Sequence, residues 1–419
     1  MGVQYSFSPE LYKQDPHWMF YDQPDVANYS VFYRIPLGNP SSLQDQINAN
    51  PGSFGYSEAT RKFNLPPSAG LPSLTIFASR STIDTGIGNT LSQTISSTTN
   101  RSIFENDFQR SPTINEDIAA HLDFPLASAG NLQSSFSSGL DFKYFQTINY
   151  KEDLFTFVET QYNNGNPILP PNTSTNTTVV PTTRDEVEYL PLSLHYTGSW
   201  HDSLGTSTAG LGLSANLWYS SLFATSGTHN VTNNGVVESV PYTTNVHGRT
   251  AFADIAGSTL SSGYWVVLTP SYSRTILIDN WTTEIRLDGQ WASEPLISPE
   301  QFGAGGVNSV RGYPEGDVFG DEGWHFSLEE QTPAHVIGMI ANGTPLTAYA
   351  SIYSDFATVY LIDPQGRAPE TRLWGTGIGF NVVAGPHWQA QFLFSFPLYR
   401  TADTSPYEPR FNFSITGQF

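Results

Sequence analysis

Along the 419 residues, large apolar side chains recur at every second position, with small or polar residues between them. In "WTTEIRLDGQW", Trp281, Ile285, Leu287 and Trp291 alternate with Thr282, Glu284, Arg286, Asp288 and Gln290. "HWQAQFLFSFPL" sets Trp388, Phe392, Phe394, Phe396 and Leu398 against His387, Gln389, Gln391 and Ser395. "LPLSLHYTGSW" does the same with Leu190, Leu192, Leu194, Tyr196 and Trp200 against Ser193, His195, Thr197 and Ser199. A period of two marks a strand whose two faces meet different surroundings. Strands placed on this pattern lie near 2–8, 27–37, 72–82, 114–126, 134–146, 189–201, 207–219, 252–273, 281–291, 323–332, 347–359, 373–383, 387–398 and 410–419, about fourteen in all.

A soluble β-sandwich alternates too, but its strands average about five or six residues. Several segments here keep phase for about ten, the length that crosses a bilayer when tilted. Aromatics sit near strand ends at Trp200, Trp281, Trp291 and Trp388, where membrane barrels carry interfacial girdles. Long polar or Pro-rich stretches at 85–112, 149–188, 221–250 and 292–323 alternate with brief turns at 127–131, 202–206 and 384–387. That asymmetry of long outside loops and short periplasmic turns belongs to outer-membrane barrels. One exception, 38–71, falls where a short turn is expected. The pattern therefore predicts an all-β fold, a transmembrane antiparallel β-barrel of the outer-membrane type, over 1–419.

Composition agrees with strands and turns rather than helices: 27 Phe, 21 Tyr and 9 Trp stand with only 13% charged residues. No run of about 18 apolar residues could form a membrane-spanning helix. The absence of Cys excludes disulfides, thiolate metal sites and cysteine nucleophiles. A formal charge of −20 argues against nucleic acid, which needs a basic footprint. The nine His show no metal spacing. No nucleophile is paired with a base, so the chain is not expected to be an enzyme. "GTGIGF" at 375–380 has spaced glycines but no following Lys-Ser/Thr, and reads as strand glycine rather than as a phosphate loop. No cofactor or metal is expected.

"SVRGYPEGD", with Val310, Arg311, Gly312 and Tyr313, resembles the Val-Arg-Gly-Tyr/Phe motif in the sixth outside loop of the Omp85 superfamily. The run from 289 to 333, "GQWASEPLISPEQFGAGGVNSVRGYPEGDVFGDEGWHFSLEEQTP", looks most like the two-partner secretion transporters, the hemolysin secretion/activation proteins of the ShlB/FhaC/HecB type. The likeness continues through "YSDFATV", "GTGIGFNVVAG" and the last strand, covering about the final 140 residues; upstream it rests mainly on strand spacing and "NYSVFYRIPLG". The resemblance implies a sixteen-stranded barrel, against about fourteen strands placed here, so that a first hairpin is expected to be missing. It also implies two periplasmic POTRA modules, for which there is no room before the first strand. A signal peptide is expected to have been removed or to lie upstream, since "MGVQYSFSPELYK" has neither a basic nor an apolar leader region.

In that family the loop, here 292–323, folds back into the lumen and its Arg pairs with acids on the inner wall. Strand parity tests whether this chain can do so. If Trp324, Phe326 and Leu328 face lipid, then His325, Ser327, Glu329 and Gln331 face inward. If Ile352 and Phe356 face lipid, then Tyr349, Ser351, Tyr353, Asp355 and Ala357 face inward. Glu329 and Asp355 thus become the expected partners of Arg311, with Tyr353 beside them, because a guanidinium can serve two carboxylates through its fork. The family's strand motif is Phe-x-Asp-x-Gly; Tyr353 and Ala357 stand at its ends here. The chain ends in "FNFSITGQF", and Phe411, Phe413, Ile415 and Phe419 resemble the C-terminal signal that barrels present to their assembly machinery.

The implied function is an outer-membrane pore of the bacterial cell that secretes and activates a partner polypeptide. Its partners would be that cargo, the membrane lipid and the assembly machinery. An insertase of the same superfamily, a passive solute porin and a soluble carbohydrate-binding β-protein are the alternatives. Conductance separates the porin, which stays open, from a plugged transporter.

Overall fold

The computed structural model describes residues 2–7, 26–37, 55–57, 62–64, 72–83, 88–97, 101–110, 113–126, 131–159, 162–163, 166–167, 171–220, 222–233, 236–247, 250–339, 343–385 and 388–417. Phe419, the turn at 127–130 and most of 38–71 lie outside them. Fourteen strands form one antiparallel meander. They are β1 (Gly2–Phe7), β2 (Val26–Pro36), β3 (Ser73–Ile83), β4 (Thr113–Pro125), β5 (Leu132–Glu159), β6 (Asn172–His201) and β7 (Gly205–Ser220). Then come β8 (Val266–Ile278), β9 (Trp281–Ala292), β10 (Glu322–Gln331), β11 (Pro345–Tyr360), β12 (Glu370–Ala384), β13 (Trp388–Pro397) and β14 (Arg410–Gly417). Each pairs with the next; among the described residues no ladder joins β14 to β1. Five more strands complete the nineteen of the sheet.

The amphipathicity is inverted relative to a water-soluble protein. Ile352 on β11 is 63% exposed and Ile378 on β12 58% exposed, whereas Thr75, Ser351, Asn381 and Ser395 are buried. An apolar outside around a polar inside is the arrangement that lipid demands of a barrel. Aromatics collect at both rims: Trp200, Trp281 and Trp388 at the short-turn end, Trp218, Trp291, Trp324 and Trp374 toward the other. Phe411, Phe413 and Ile415 lie exposed along the outer face of β14.

Short turns join β6 to β7 and β8 to β9 at one end. Asp279 and Asn280, both at positive φ, join β8 to β9 as a two-residue hairpin, a backbone that Asn and Asp tolerate better than most residues. At the β6–β7 turn, the Asp202 carboxylate accepts from the backbone N–H groups of Leu204 and Gly205 and from Arg274 at 2.7 Å. The Arg274 hydrogen bond and then these backbone donors hold its pKa down to about 2.

The other end departs from the sequence expectation in two ways. Within 85–112, 149–188 and 221–250 the described residues are mostly strand rather than irregular loop. Gly88–Ser97 with Arg101–Arg110, and Leu222–Asn233 with Val236–His247, form hairpins, and β5 and β6 run on as a paired ribbon of 28 and 30 residues. Outside lipid a strand needs no apolar face, so Thr, Asn and Ser ladders escaped a reading based on apolar period. The expected strand at 252–273 is instead helix α1 (Thr250–Ala256) followed by an irregular segment and β8, which starts at Val266. Phe252 and Trp265 are fully buried there, as inside packing rather than as lipid-facing strand positions.

Ile352→Lys is expected to cost about 2–4 kcal/mol of folding stability in phospholipid vesicles, the penalty for a charge at mid-membrane on a lipid-facing position. Urea titration of the barrel in vesicles measures it; a change near zero would mean that this face meets water.

Candidate functional site: the inward-folded loop

Between β9 and β10 the chain does not stay outside. Segment 293–321 turns into the concave side of the sheet as a short helical turn at Ser298–Glu300 and a small ladder pairing Phe302–Ala304 with Val318–Gly320. Its tip carries Arg311, only 8% exposed. The guanidinium meets Asp355 of β11 through Nε at 2.7 Å and Nη2 at 2.8 Å, while the Arg311 backbone N–H donates to the same carboxylate at 3.1 Å. Nη1 donates to Glu329 of β10 at 2.5 Å. Ser327 donates to the second oxygen of Asp355 at 2.7 Å. The guanidinium Cζ sits over the Tyr353 ring, 3.5 Å from its centroid. The structure thus brings together Arg311, Glu329, Asp355 and Tyr353 around one cation.

Asp355 is 0% exposed, and every hydrogen bond it accepts comes from Arg311 or Ser327. Burial works against the charge of Arg311, but the hydrogen bonds and charge of Asp355, and then of Glu329, outweigh it and raise its pKa further. A lysine could not reproduce this fork.

The rest of the motif fixes the loop backbone. Gly312 takes φ of +104°, in the region that favours glycine, and lies against the backbone of Phe396 and Pro397. The Tyr313 hydroxyl bridges two stretches of chain, near the carbonyls of Tyr399 at 2.9 Å and Trp374 at 3.2 Å and accepting from the N–H groups of both residues. Burial pushes this hydroxyl up in pKa, so it serves as a neutral donor. Val310 and Tyr313 pack with Ala304, Ala357, Val359 and Leu373 into a small dry cluster beside the charges.

Several contributors were not singled out from sequence. Gly375, read as an ordinary strand glycine, is the berth of the loop: a Cβ there would overlap the Arg311 carbonyl. Gly377 likewise leaves room for the Tyr353 hydroxyl. His325 on β10 contacts the Ser309 carbonyl at 3.1 Å and Asp288 at 2.9 Å, adding a second grip on the loop. Asp321, 2% exposed, accepts from the N–H groups of Leu296 and Ile362 and from Gln301 Nε2. Acid-rich "GDEGW" alone could have hinted at a role for it; nothing in the pattern named the partners. Beside the latch a polar cavity of about 200 Å³ remains, with Glu284, Arg286, Asn308, Gln331 and Asn381 on its walls.

Since the chain has no Cys, a thiol placed at Val310 reports alone. Val310→Cys is expected to resist a water-soluble maleimide, and adding Arg311→Ala is expected to raise its labelling rate at least about tenfold. The reason is that an unpaired buried Asp355 costs about 3–5 kcal/mol, less where lumen water relieves it. Equal rates in the two backgrounds would show that the ion pair does not hold the loop.

Residues 263–382 match the model of the family "Haemolysin secretion/activation protein ShlB/FhaC/HecB". No curated protein matches the chain. Among solved structures, CdiB from Escherichia coli aligns at 14% identity and a TM-score of 0.42, covering 85% of this chain and 64% of that one. BamA from Haemophilus ducreyi lacking POTRA domains 1-3 aligns at 11% identity and 0.37, covering 93% and 67%. CdiB from Acinetobacter baumannii aligns at 11% and 0.37, covering 94% and 57%. The chain therefore spans somewhat under two thirds of either CdiB. The segment matched by the family model holds Arg311, Glu329, Asp355 and the strands that carry these acids.

Proposed function

We propose that this chain is the pore of a two-partner secretion system in the bacterial outer membrane, moving an unfolded partner polypeptide outward without nucleotide, metal or cofactor. The observation that carries the reading is the Arg311 latch. A loop that could hang outside in water is drawn into the lumen, where its cation meets Asp355 and Glu329. The family match over 263–382 supports the same reading. A passive porin needs a standing aqueous channel, whereas here loop residues occupy the concave side of the sheet in two apolar clusters.

In this reading the loop is a gate. It closes the lumen at rest and moves when the cargo enters, and the polar inner wall lets an extended chain slide without sticking. No bond is made or broken, so no catalytic residue is assigned. The apolar outer face meets membrane lipid. Exposed Phe411, Phe413 and Ile415 on β14 serve as the signal to the assembly machinery during insertion.

Arg311→Ala and Asp355→Asn are each expected to leave a heat-modifiable barrel in the outer membrane while lowering secretion of the partner at least about tenfold. Quantifying the partner in the medium beside the barrel band in the membrane checks this. Undiminished secretion from both variants would remove the latch from the mechanism, and a steadily open conductance in planar bilayers would favour a porin.

A further inference from the structure

The loop is held at a second place, on a different part of the wall. Glu300, at the end of its short helical turn, contacts Lys143 of β5 at 2.7 Å, and Tyr189 of β6 donates to the same carboxylate oxygen at 2.8 Å. These strands are separated from β10 by β7, β8 and β9, so the loop bridges the concave side of the sheet. Gln290 reinforces the placement by donating to the Glu300 carbonyl at 3.0 Å. Leu296 and Ile297, just before, are buried with Trp265, Phe252, Phe145 and Val187 in an apolar cluster on that side.

The two attachments differ in what each leaves behind when broken. Withdrawing Arg311 strands Asp355, whose remaining hydrogen-bond donor would be the Ser327 hydroxyl, beside Glu329 and with no cation. Withdrawing Glu300 does not strand Lys143, because Asp117 stands opposite it in the β4–β5 register and Asp141 lies two residues away on the same face of β5. Lys143 then keeps acidic company, and Glu300, the acid that moves, reaches water. Counting the charged pairs alone, opening therefore costs less at Glu300; the exposure of Leu296 and Ile297 and the loss of the Leu296 and Gln301 hydrogen bonds to Asp321 add to the cost at that end.

Building on the transport reading, we infer that Glu300, Lys143 and Tyr189 form the releasable catch of the gate, while Arg311 with Asp355 and Glu329 is its fixed anchor. The segment 293–301 leaves the β5–β6 wall first and the loop moves about the Arg311 end. Glu300 and Lys143 are positioning residues: they set how often the lumen opens and touch no reacting group.

Channel recording in planar lipid bilayers tests this on the full chain and needs no cargo. Glu300→Gln, which keeps size and one hydrogen bond but loses the ion pair, is expected to increase the fraction of time open by about tenfold. In the chain, which has no Cys, Lys143→Cys with Glu300→Cys bridged by a reducible bis-thiol linker is expected to stay closed until the linker is reduced. An unchanged open fraction in Glu300→Gln, or bridged channels that open as often as unbridged ones, would overturn the catch while leaving the transport reading intact. A barrel that never conducts in any variant, the parent included, would remove both.

Discussion

A carboxylate with no exposure to water must find its counter-charge inside the protein, and Asp355 finds it in Arg311. The strand that carries Asp355 cannot supply a cation on the same face, since its inward neighbours are Tyr353 and Ala357. The charge must come from elsewhere in the chain, and the loop between β9 and β10 delivers it. Once Arg311 is in place, the loop is committed to the concave side and brings Val310, Tyr313, Leu296 and Ile297 with it. Breaking such a pair by removing one member typically costs about 3–5 kcal/mol, more than the pair gains over a hydrophobic substitute. The interaction is thus a weak argument for stability and a strong one for location.

That choice of glue follows from the solvent outside. With lipid taking the apolar faces of the strands, the interior is left with Ser, Thr, Asn, Gln and charged residues, which bind by hydrogen bonds and ion pairs. Polar contacts can be exchanged for water as a loop moves, so each contact site has a state to go to when it opens. Of the three apolar clusters among the described residues, two include loop residues: Leu296 and Ile297 in one, Val310 and Tyr313 in the other. The wall is shaped to fit them. Gly375 and Gly377 remove side chains where the loop backbone and Tyr353 press against it.

Period two made the fourteen-strand meander legible, and it also named the faces. Glu329 and Asp355 were assignable to the inner wall because Trp324, Leu328 and Ile352 claim the outer one, and one-residue parity permits no other assignment. The same reading stopped where lipid stops. The ribbon strands at 149–159 and 172–188 and the hairpin of 222–233 with 236–247 carry no sustained apolar period, so they passed for loops. Phe252 and Trp265 gave an apolar period that belongs to packing inside the lumen rather than to a strand. Contacts between a loop and a distant wall left no local trace. Glu300 and Lys143 are 157 residues apart, and no periodicity says which strand a folded-in segment will reach.

Attachment at two unequal ends also bears on how such a gate could be specific. In the transport reading, a loop held at the Arg311 end alone would leave the segment 293–301 free to swing; one held twice with equal strength would open to nothing. Unequal ends let a weak push, delivered at one wall, free the segment 293–301 while the tip stays registered on β10 and β11. The loop then returns to a berth whose geometry never dissolved, because Asp355, Gly375 and Tyr353 still hold it. Reclosure becomes a local search by a tethered segment over a few residues, with the small entropic cost of short loops, rather than a refolding of the whole connection.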